Sequence, residues 1–118
     1  MVKRMIAAAA VVAATSTAPV AGAVPIVGGQ GLTPNAAALA EYVRTNYPGV
    51  LSIGGVRPDP LPDHPSGRAI DVMVGNNTAL GNQIAADIQS QSGRFGVSYI
   101  LWQSDPAHWD HVHISVGG

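Results

Sequence analysis

The segment from His111 to Val116 constrains the fold more than any other stretch, because apolar and polar residues alternate through it without interruption. Successive side chains of a β-strand point to opposite faces of the sheet. One face of this strand is therefore aliphatic and suited to a core, whereas the other carries His111, His113 and Ser115. The pattern predicts a sheet that packs on one side and presents two imidazoles on the other.

The segment from Arg68 to Val74 has the same design and places Asp71 on the face opposite its aliphatic residues. Burying a carboxylate among apolar neighbours is costly unless the carboxylate has a partner. A metal ion is one such partner, and Arg68 or Arg57 is the alternative.

A third candidate residue, His64, precedes Asp71 across a Pro-Ser-Gly turn in the run HPSGRAID. Neutral imidazoles and a carboxylate are the usual ligands of zinc, and three protein ligands with one open position are typical of catalytic zinc. The working hypothesis is a zinc site built from His64, Asp71 and His113.

The order of the predicted elements indicates an α+β domain. Thr33 followed by Pro34 is typical of a helix start, and Pro48-Gly49 ends this helix. A second amphipathic helix has Thr78 as its N-cap and ends near Gly93. Strands are predicted at residues 50–57, 68–74, 97–102 and 111–116. We therefore expect a small antiparallel sheet with two helices on one face.

The amino-terminal residues are typical of a secretory signal peptide. Lys3 and Arg4 precede an apolar run at residues 5–14, and Ala21-Gly22-Ala23 is a small-residue cleavage site. We therefore predict a signal peptide at residues 1–23, a flexible lead-in at 24–32 and a folded domain at 33–118. The expected location is outside the cell or in the cell envelope, with no membrane attachment after cleavage.

The composition of the remaining chain restricts its partners. Its four arginines face seven carboxylates and form no basic cluster, so nucleic acid and anionic membranes are not expected as main partners. The sequence has no cysteine, so a small exported domain of this kind would need another source of stability. A bound metal is one such source.

The motifs also resemble those of a known superfamily. HPSGRAID is similar to the SxHxxGxAxD signature of the zinc metallopeptidases that include D-Ala-D-Ala carboxypeptidases, lysostaphin-type endopeptidases and the hedgehog signalling domain, and DHVH resembles their last metal element. The longer run GGVRPDPLPDHPSGRAIDVMV resembles small exported actinobacterial domains of this hedgehog/DD-peptidase-like group. The resemblance covers residues 33–116 and implies a hedgehog/DD-peptidase-like fold. It also implies Zn²⁺ held by His64, Asp71 and His113.

The resemblance implies catalytic roles for three further residues. Arg57 lies where the peptidases keep an arginine that binds or polarises the substrate carbonyl. Carboxypeptidase-type relatives have a glutamate base three residues before the last ligand, where this sequence has Asp110. Lysostaphin-type relatives use the first histidine of HxH, which is His111 here. His111 would share a strand face with His113, whereas Asp110 would point away on a regular strand, so His111 is narrowly favoured as the base.

These observations predict a monomeric, exported zinc peptidase that hydrolyses peptide bonds in peptidoglycan stem peptides, as a carboxypeptidase or an endopeptidase. The alternative is a catalytically inactive, zinc-stabilised module that binds the cell wall. His108 is interpreted as a loop imidazole beside Trp109, and Trp102 and Trp109 as core or rim aromatics.

Overall fold

The computed structural model describes residues 23–118, which form one five-stranded sheet with three helices. Of the predicted signal peptide, residues 1–22 lie outside the described part of the chain. The elements are β1 (Ile26–Val27), α1 (Pro34–Asn46), β2 (Ser52–Gly54), β3 (Ala69–Met73), α2 (Thr78–Ser90), α3 (Ser92–Phe95), β4 (Val97–Leu101), a 3-10 turn (Pro106–His108) and β5 (His111–Val116).

The strand order is β1-β2-β3-β5-β4. The sheet is mixed, whereas the sequence predicted an antiparallel sheet. The antiparallel prediction holds for β2, β3, β5 and β4, whereas β1 runs parallel to β2 with Ile26 opposite Ile53. Parallel neighbours need a crossover connection, and α1 provides it between β1 and β2. The prediction of a flexible lead-in at residues 24–32 is therefore wrong at Ile26–Val27, because two paired residues are too few to show an alternating pattern in the sequence.

The core lies between one face of the sheet and the helices, which confirms the α+β class and the packing of the two long helices on one side. Leu39 of α1 and Ile84 of α2 are fully buried in the same cluster as Ile70, Val72 and Ile114 of the central strands. Burying an aliphatic side chain of this size contributes about 1.5 to 3 kcal/mol. The opposite face of β3 and β5 is not covered by the helices, and it carries the side chains of Asp71 and His113.

The helix boundaries follow local capping. Thr33 caps α1 by accepting a hydrogen bond from the Ala36 N–H, with Pro34 at the first helical position as predicted. Asn77, not Thr78, caps α2, because its side chain accepts from the Leu80 N–H at 3.1 Å. α2 ends at Ser90 rather than near Gly93, and the separate α3 follows. None of the helices within residues 23–118 has the length and apolar character needed to cross a membrane.

Candidate metal centre

Strand register brings two of the predicted ligands together on the face away from the helices. Asp71 of β3 lies directly opposite His113 of β5, and both residues are 7% exposed. On its other side Asp71 lies opposite Gly54, which has no side chain to occupy the space beside the carboxylate. The alternation of the two strands therefore predicted their inner and outer faces correctly.

The third predicted ligand, His64, reaches this face from the loop before β3. A tight turn holds the loop, with the Gly67 N–H bonded to the His64 carbonyl at 3.1 Å. Gly67 has a φ of +77°, and a Cβ at this position would lie 2.1 Å from the Gly31 carbonyl oxygen. Only glycine fits these conditions without strain. The glycine of the HPSGRAID run thus lets the loop fold back and bury His64.

The orientation of His64 leaves one ring nitrogen facing Asp71. Its Nδ1 lies 2.9 Å from the Gly55 carbonyl oxygen, which can only accept, so Nδ1 carries the proton. The neutral ring then has a lone pair on Nε2. This atom lies 3.1 Å from Asp71 Oδ2 without forming a hydrogen bond, and it is a buried polar atom with no such partner among residues 23–118.

A similar chain of hydrogen bonds orients His113. Ser115 Oγ donates its single proton to Asp63 Oδ2 at 2.7 Å, so it must accept from His113 Nε2, which lies 2.8 Å away. The neutral His113 ring then keeps its lone pair on Nδ1, which is 3.1 Å from Asp71 Oδ1. The lone pair on His113 Nδ1 and the Asp71 carboxylate repel each other unless a proton or a cation lies between them.

The arrangement of these donors fits a metal ion. One potential ligand atom from each of His64, Asp71 and His113 lies within 4.8 Å of the other two, and all three residues are buried. Two imidazole lone pairs thus converge on the two oxygens of one carboxylate. One cation placed among these atoms would satisfy all of them at once. The group can therefore hold a metal ion.

Asp71 has the charge that such a ligand needs. Burial raises the pKa of Asp71, but when the surrounding imidazoles are protonated, the hydrogen bond from His113 and the charges of His64, His111 and His113 outweigh burial and lower the pKa to about 2. The carboxylate is therefore ionised at neutral pH.

His64, Asp71 and His113 are called the metal-ligand group below. His111 and Asp110 occupy different positions relative to it. His111 Nε2 lies 3.7 Å from Asp71 Oδ1, and its Nδ1 lies 2.8 Å from Asp110 Oδ1. The Asp110 side chain is 63% exposed and lies outside the strand, which begins at His111. The imidazole therefore faces the ligands, and Asp110 holds it from behind.

Arg57 also reaches the metal-ligand group. Its two terminal nitrogens lie 2.9 Å from Asp59 Oδ2 and 3.3 Å from Asp71 Oδ2, and its side chain is about half exposed. Asp63 instead pairs with Arg68 at 3.4 Å. Arg57 is thus both a structural partner of Asp59 and a neighbour of Asp71.

The side chains around the metal-ligand group enclose a cleft of about 260 Å³. The residues that line it are Arg57, Asp59, Leu61, Asp63, His64, Tyr99, Leu101, Ala107, His108, His111 and His113.

Several of these cleft residues were missed by sequence reasoning. His108 was interpreted as a loop imidazole, but it lines the cleft, and its ring centroid is 5.1 Å from that of His111. Its Nδ1 lies 2.9 Å from Asp105 Oδ1. The Tyr99 ring stacks on His113 with centroids 5.7 Å apart, and its hydroxyl donates to Asp63. Tyr99 lies on the cleft face because the register of β4 against β5 shifts between Val97 and Tyr99 and places Tyr99 opposite Ser115, which regular alternation does not reveal. The position of His108 depends on the fold of the loop.

Comparison with protein families matches residues 28–112 to the family described as VldE, C-terminal domain. The chain belongs to this family. The matched range includes His64, Asp71 and His111 and ends immediately before His113. The family description names neither a peptidase nor a metal. No curated protein and no solved structure matches the chain.

Proposed function

We propose that this domain is an exported zinc-dependent peptidase of the hedgehog/DD-peptidase-like group that hydrolyses peptide bonds in peptidoglycan stem peptides. The observation that carries the proposal is the convergence of the lone pairs of His64 Nε2 and His113 Nδ1 on the ionised Asp71. The substrate class and the location rest on the resemblance of the motifs and on the signal-like amino terminus.

The ligand chemistry favours zinc. Two imidazoles and one carboxylate suit Zn²⁺, and a site with three protein ligands leaves a position for water or substrate. His64, Asp71 and His113 would hold the ion. When bound, zinc would supply Lewis acidity that polarises a carbonyl and lowers the pKa of water to about 7.

The His111–Asp110 pair would move the proton that hydrolysis requires. Because Nδ1–H of His111 donates to Asp110, its Nε2 has a lone pair on the side facing Asp71. This nitrogen would accept a proton from the attacking water and return it to the leaving amine. The carbonyl carbon gains the hydroxyl, the C–N bond breaks and the nitrogen gains the proton, so the atoms balance.

Arg57 would bind the carbonyl oxygen of the scissile bond. Its guanidinium lies beside Asp71 and is half exposed to the cleft, so it can donate to an oxygen that gains negative charge during hydrolysis. Tyr99 and Leu101 offer apolar surface along the cleft for the adjoining peptide.

Metal analysis is the first test of this proposal. Purified wild-type protein should carry about one zinc per chain, and His64→Ala and Asp71→Asn should each carry less than about a tenth of that. His108→Ala is the matched control, because it removes another imidazole of the cleft and should leave the metal content unchanged. Equal zinc in all four proteins would exclude the site.

Digestion of purified muropeptides then separates an enzyme from a binding module. Zinc-loaded wild type should release new amino groups, detected by mass spectrometry of the products, and zinc-loaded His111→Ala should not. Wild type that binds zinc and muropeptides without any cleavage would replace the peptidase proposal with the inactive cell-wall module.

A further inference from the structure

We propose that the cleft selects internal peptide bonds and disfavours a substrate whose chain ends in a free carboxylate immediately after the scissile bond. This inference rests on the proposed peptidase function and would make the domain an endopeptidase rather than a carboxypeptidase. It follows from how the charged side chains around the cleft are paired.

A terminal carboxylate bound in the cleft would need a cation. Removing an ionised carboxylate from water is costly unless it gains a charge-assisted partner, of which an arginine fork is the strongest kind. Among the lining residues, the permanently cationic side chain is Arg57. One of its terminal nitrogens is bonded to Asp59 at 2.9 Å, and the other lies 3.3 Å from Asp71. Both ends of the fork are thus paired with carboxylates of the chain itself, so the charge of Arg57 is already compensated, whereas its remaining N–H groups can still donate to a carbonyl oxygen.

The Arg57–Asp59 pair is also fixed at the Asp59 end. The backbone N–H of Leu61 donates to Asp59 Oδ1 at 3.0 Å, while Arg57 bonds the other oxygen. The hydrogen bond from Leu61 and the charge of Arg57 hold the pKa of Asp59 below its usual range. An incoming carboxylate would therefore have to displace a bound anion from Arg57.

The other charges near the cleft do not compensate. Arg68 is bonded to Asp63 and Ser66 at 3.4 and 2.9 Å and does not line the cleft. Asp105 and Asp110 hold His108 and His111 from outside. Among the side chains, the surroundings are thus richer in carboxylates than in arginines, so a free terminal carboxylate that does not reach the metal would meet repulsion from these side chains.

A chain that continues past the scissile bond avoids this repulsion. Its next group is a neutral amide, which needs hydrogen bonds but no cation. Leu61 is 68% exposed and Tyr99 is 43% exposed, so the cleft rim at these two residues is open to solvent and a peptide can leave past them. The structure thus favours substrates that extend in both directions.

The experiment compares two stem peptides that differ only at the residue after the scissile bond, which ends in a carboxylate in one and in an amide in the other. With zinc-loaded wild type, kcat/KM should be at least about tenfold higher for the amide. Calorimetric binding of both peptides to His111→Ala, with and without zinc, should show a tighter Kd for the amide. Equal or tighter binding of the acid would overturn the inference.

The outcomes also separate this inference from the function on which it rests. Cleavage of neither peptide by zinc-loaded protein would remove the peptidase proposal. Cleavage of both peptides at equal kcat/KM, or release of only the terminal residue, would keep the peptidase and remove the endopeptidase preference.

A charge variant tests whether the pairing of Arg57 sets the preference. Asp59→Asn should free one end of the guanidinium and raise kcat/KM for the acid peptide several-fold, with little change for the amide. Glu41→Gln is the matched control, because it removes the same charge from the surface pair with Arg44 on α1. An unchanged preference in Asp59→Asn would contradict the proposed role of the pair.

Discussion

Ser115 Oγ donates a 2.7 Å hydrogen bond to Asp63 Oδ2, and this bond fixes which nitrogen of His113 carries the proton. Tyr99 donates to the same Asp63 oxygen, and the hydrogen bonds from Tyr99 and Ser115 hold the pKa of Asp63 below its usual range. A carboxylate in the loop before β3 thus determines which ring nitrogen of His113, a candidate ligand on β5, keeps its lone pair.

Removing this control should weaken metal binding. Ser115→Ala leaves His113 Nε2 without its acceptor, and the loss of such a supporting partner reduces metal affinity about 10- to 100-fold. Competition with a fluorescent chelator measures the zinc Kd. Ser98→Ala, an exposed serine on the neighbouring strand, should bind zinc as wild type does. An unchanged Kd in Ser115→Ala would show that the chain of bonds does not orient the ligand.

His111 and Asp110 should differ in their effects on turnover. His111→Ala should lower kcat by about 10²- to 10⁴-fold, because the variant lacks the group proposed to accept and return the proton. Asp110→Asn keeps the imidazole and should lower kcat less, with little change in KM. Zinc content should stay at the wild-type level in both variants. A larger loss in Asp110→Asn than in His111→Ala would identify Asp110 as the base.

Two glycine substitutions should have opposite consequences for stability. Gly67→Ala puts a methyl group against the Gly31 carbonyl at a positive φ, so it should lower the free energy of unfolding by about 1 to 3 kcal/mol or more. Gly93→Ala, in α3, meets nothing within 4 Å and should be neutral or slightly stabilising. Urea denaturation measures both effects. Equal stability of the two variants would mean that the His64 turn tolerates a side chain.

The Asp87 cluster far from the cleft should make stability depend on pH. The hydroxyls of Tyr42 and Tyr47 donate to one Asp87 oxygen, and Gln91 donates to the other. Burial raises the pKa of Asp87, but these hydrogen bonds outweigh burial and the net pKa is lowered. A carboxylate with a lowered folded-state pKa stabilises the fold above its unfolded pKa of about 3.9, and the contribution disappears as the pH falls through the folded value.

The corresponding variant is Asp87→Asn. It should lower the free energy of unfolding by about 1 to 2 kcal/mol at pH 7, because hydrogen bonds to a charged acceptor are replaced by weaker ones. The difference from wild type should shrink as the pH falls below about 4. Denaturation curves between pH 7 and pH 3 measure it, and a difference that stays constant over this range would contradict the role of the charge.

Local patterns were sufficient to predict the strands that carry Asp71 and His113. The alternation in residues 111–116 predicted both the bounds of β5 and the face that carries His113. Capping chemistry placed the start of α1 at Pro34 but chose Thr78 over Asn77 for α2, because both residue types are good caps.

Contacts between residues far apart in the chain could not be predicted from the sequence. The pairing of Asp71 with His113 depends on strand order and register, and the bond from Ser115 to Asp63 joins residues far apart in the chain. The approach of His108 to His111 depends on the 3-10 turn that Asp105 caps. Such contacts arise only when the whole sheet and its loops are assembled.

The short strand β1 connects the beginning of the domain to the candidate metal centre. The Val27 carbonyl accepts from the Gly55 N–H at 2.8 Å, and the Gly55 carbonyl on the same residue orients His64. At the other end of the His64 loop, the Thr33 N–H donates to the Gly67 carbonyl at 3.0 Å. A protein shortened to start at Thr33 would keep every proposed ligand but lose the backbone that supports the first of them. Proteolysis only a few residues beyond the predicted signal cleavage point would therefore disturb the orientation of His64 without removing any of the proposed ligands.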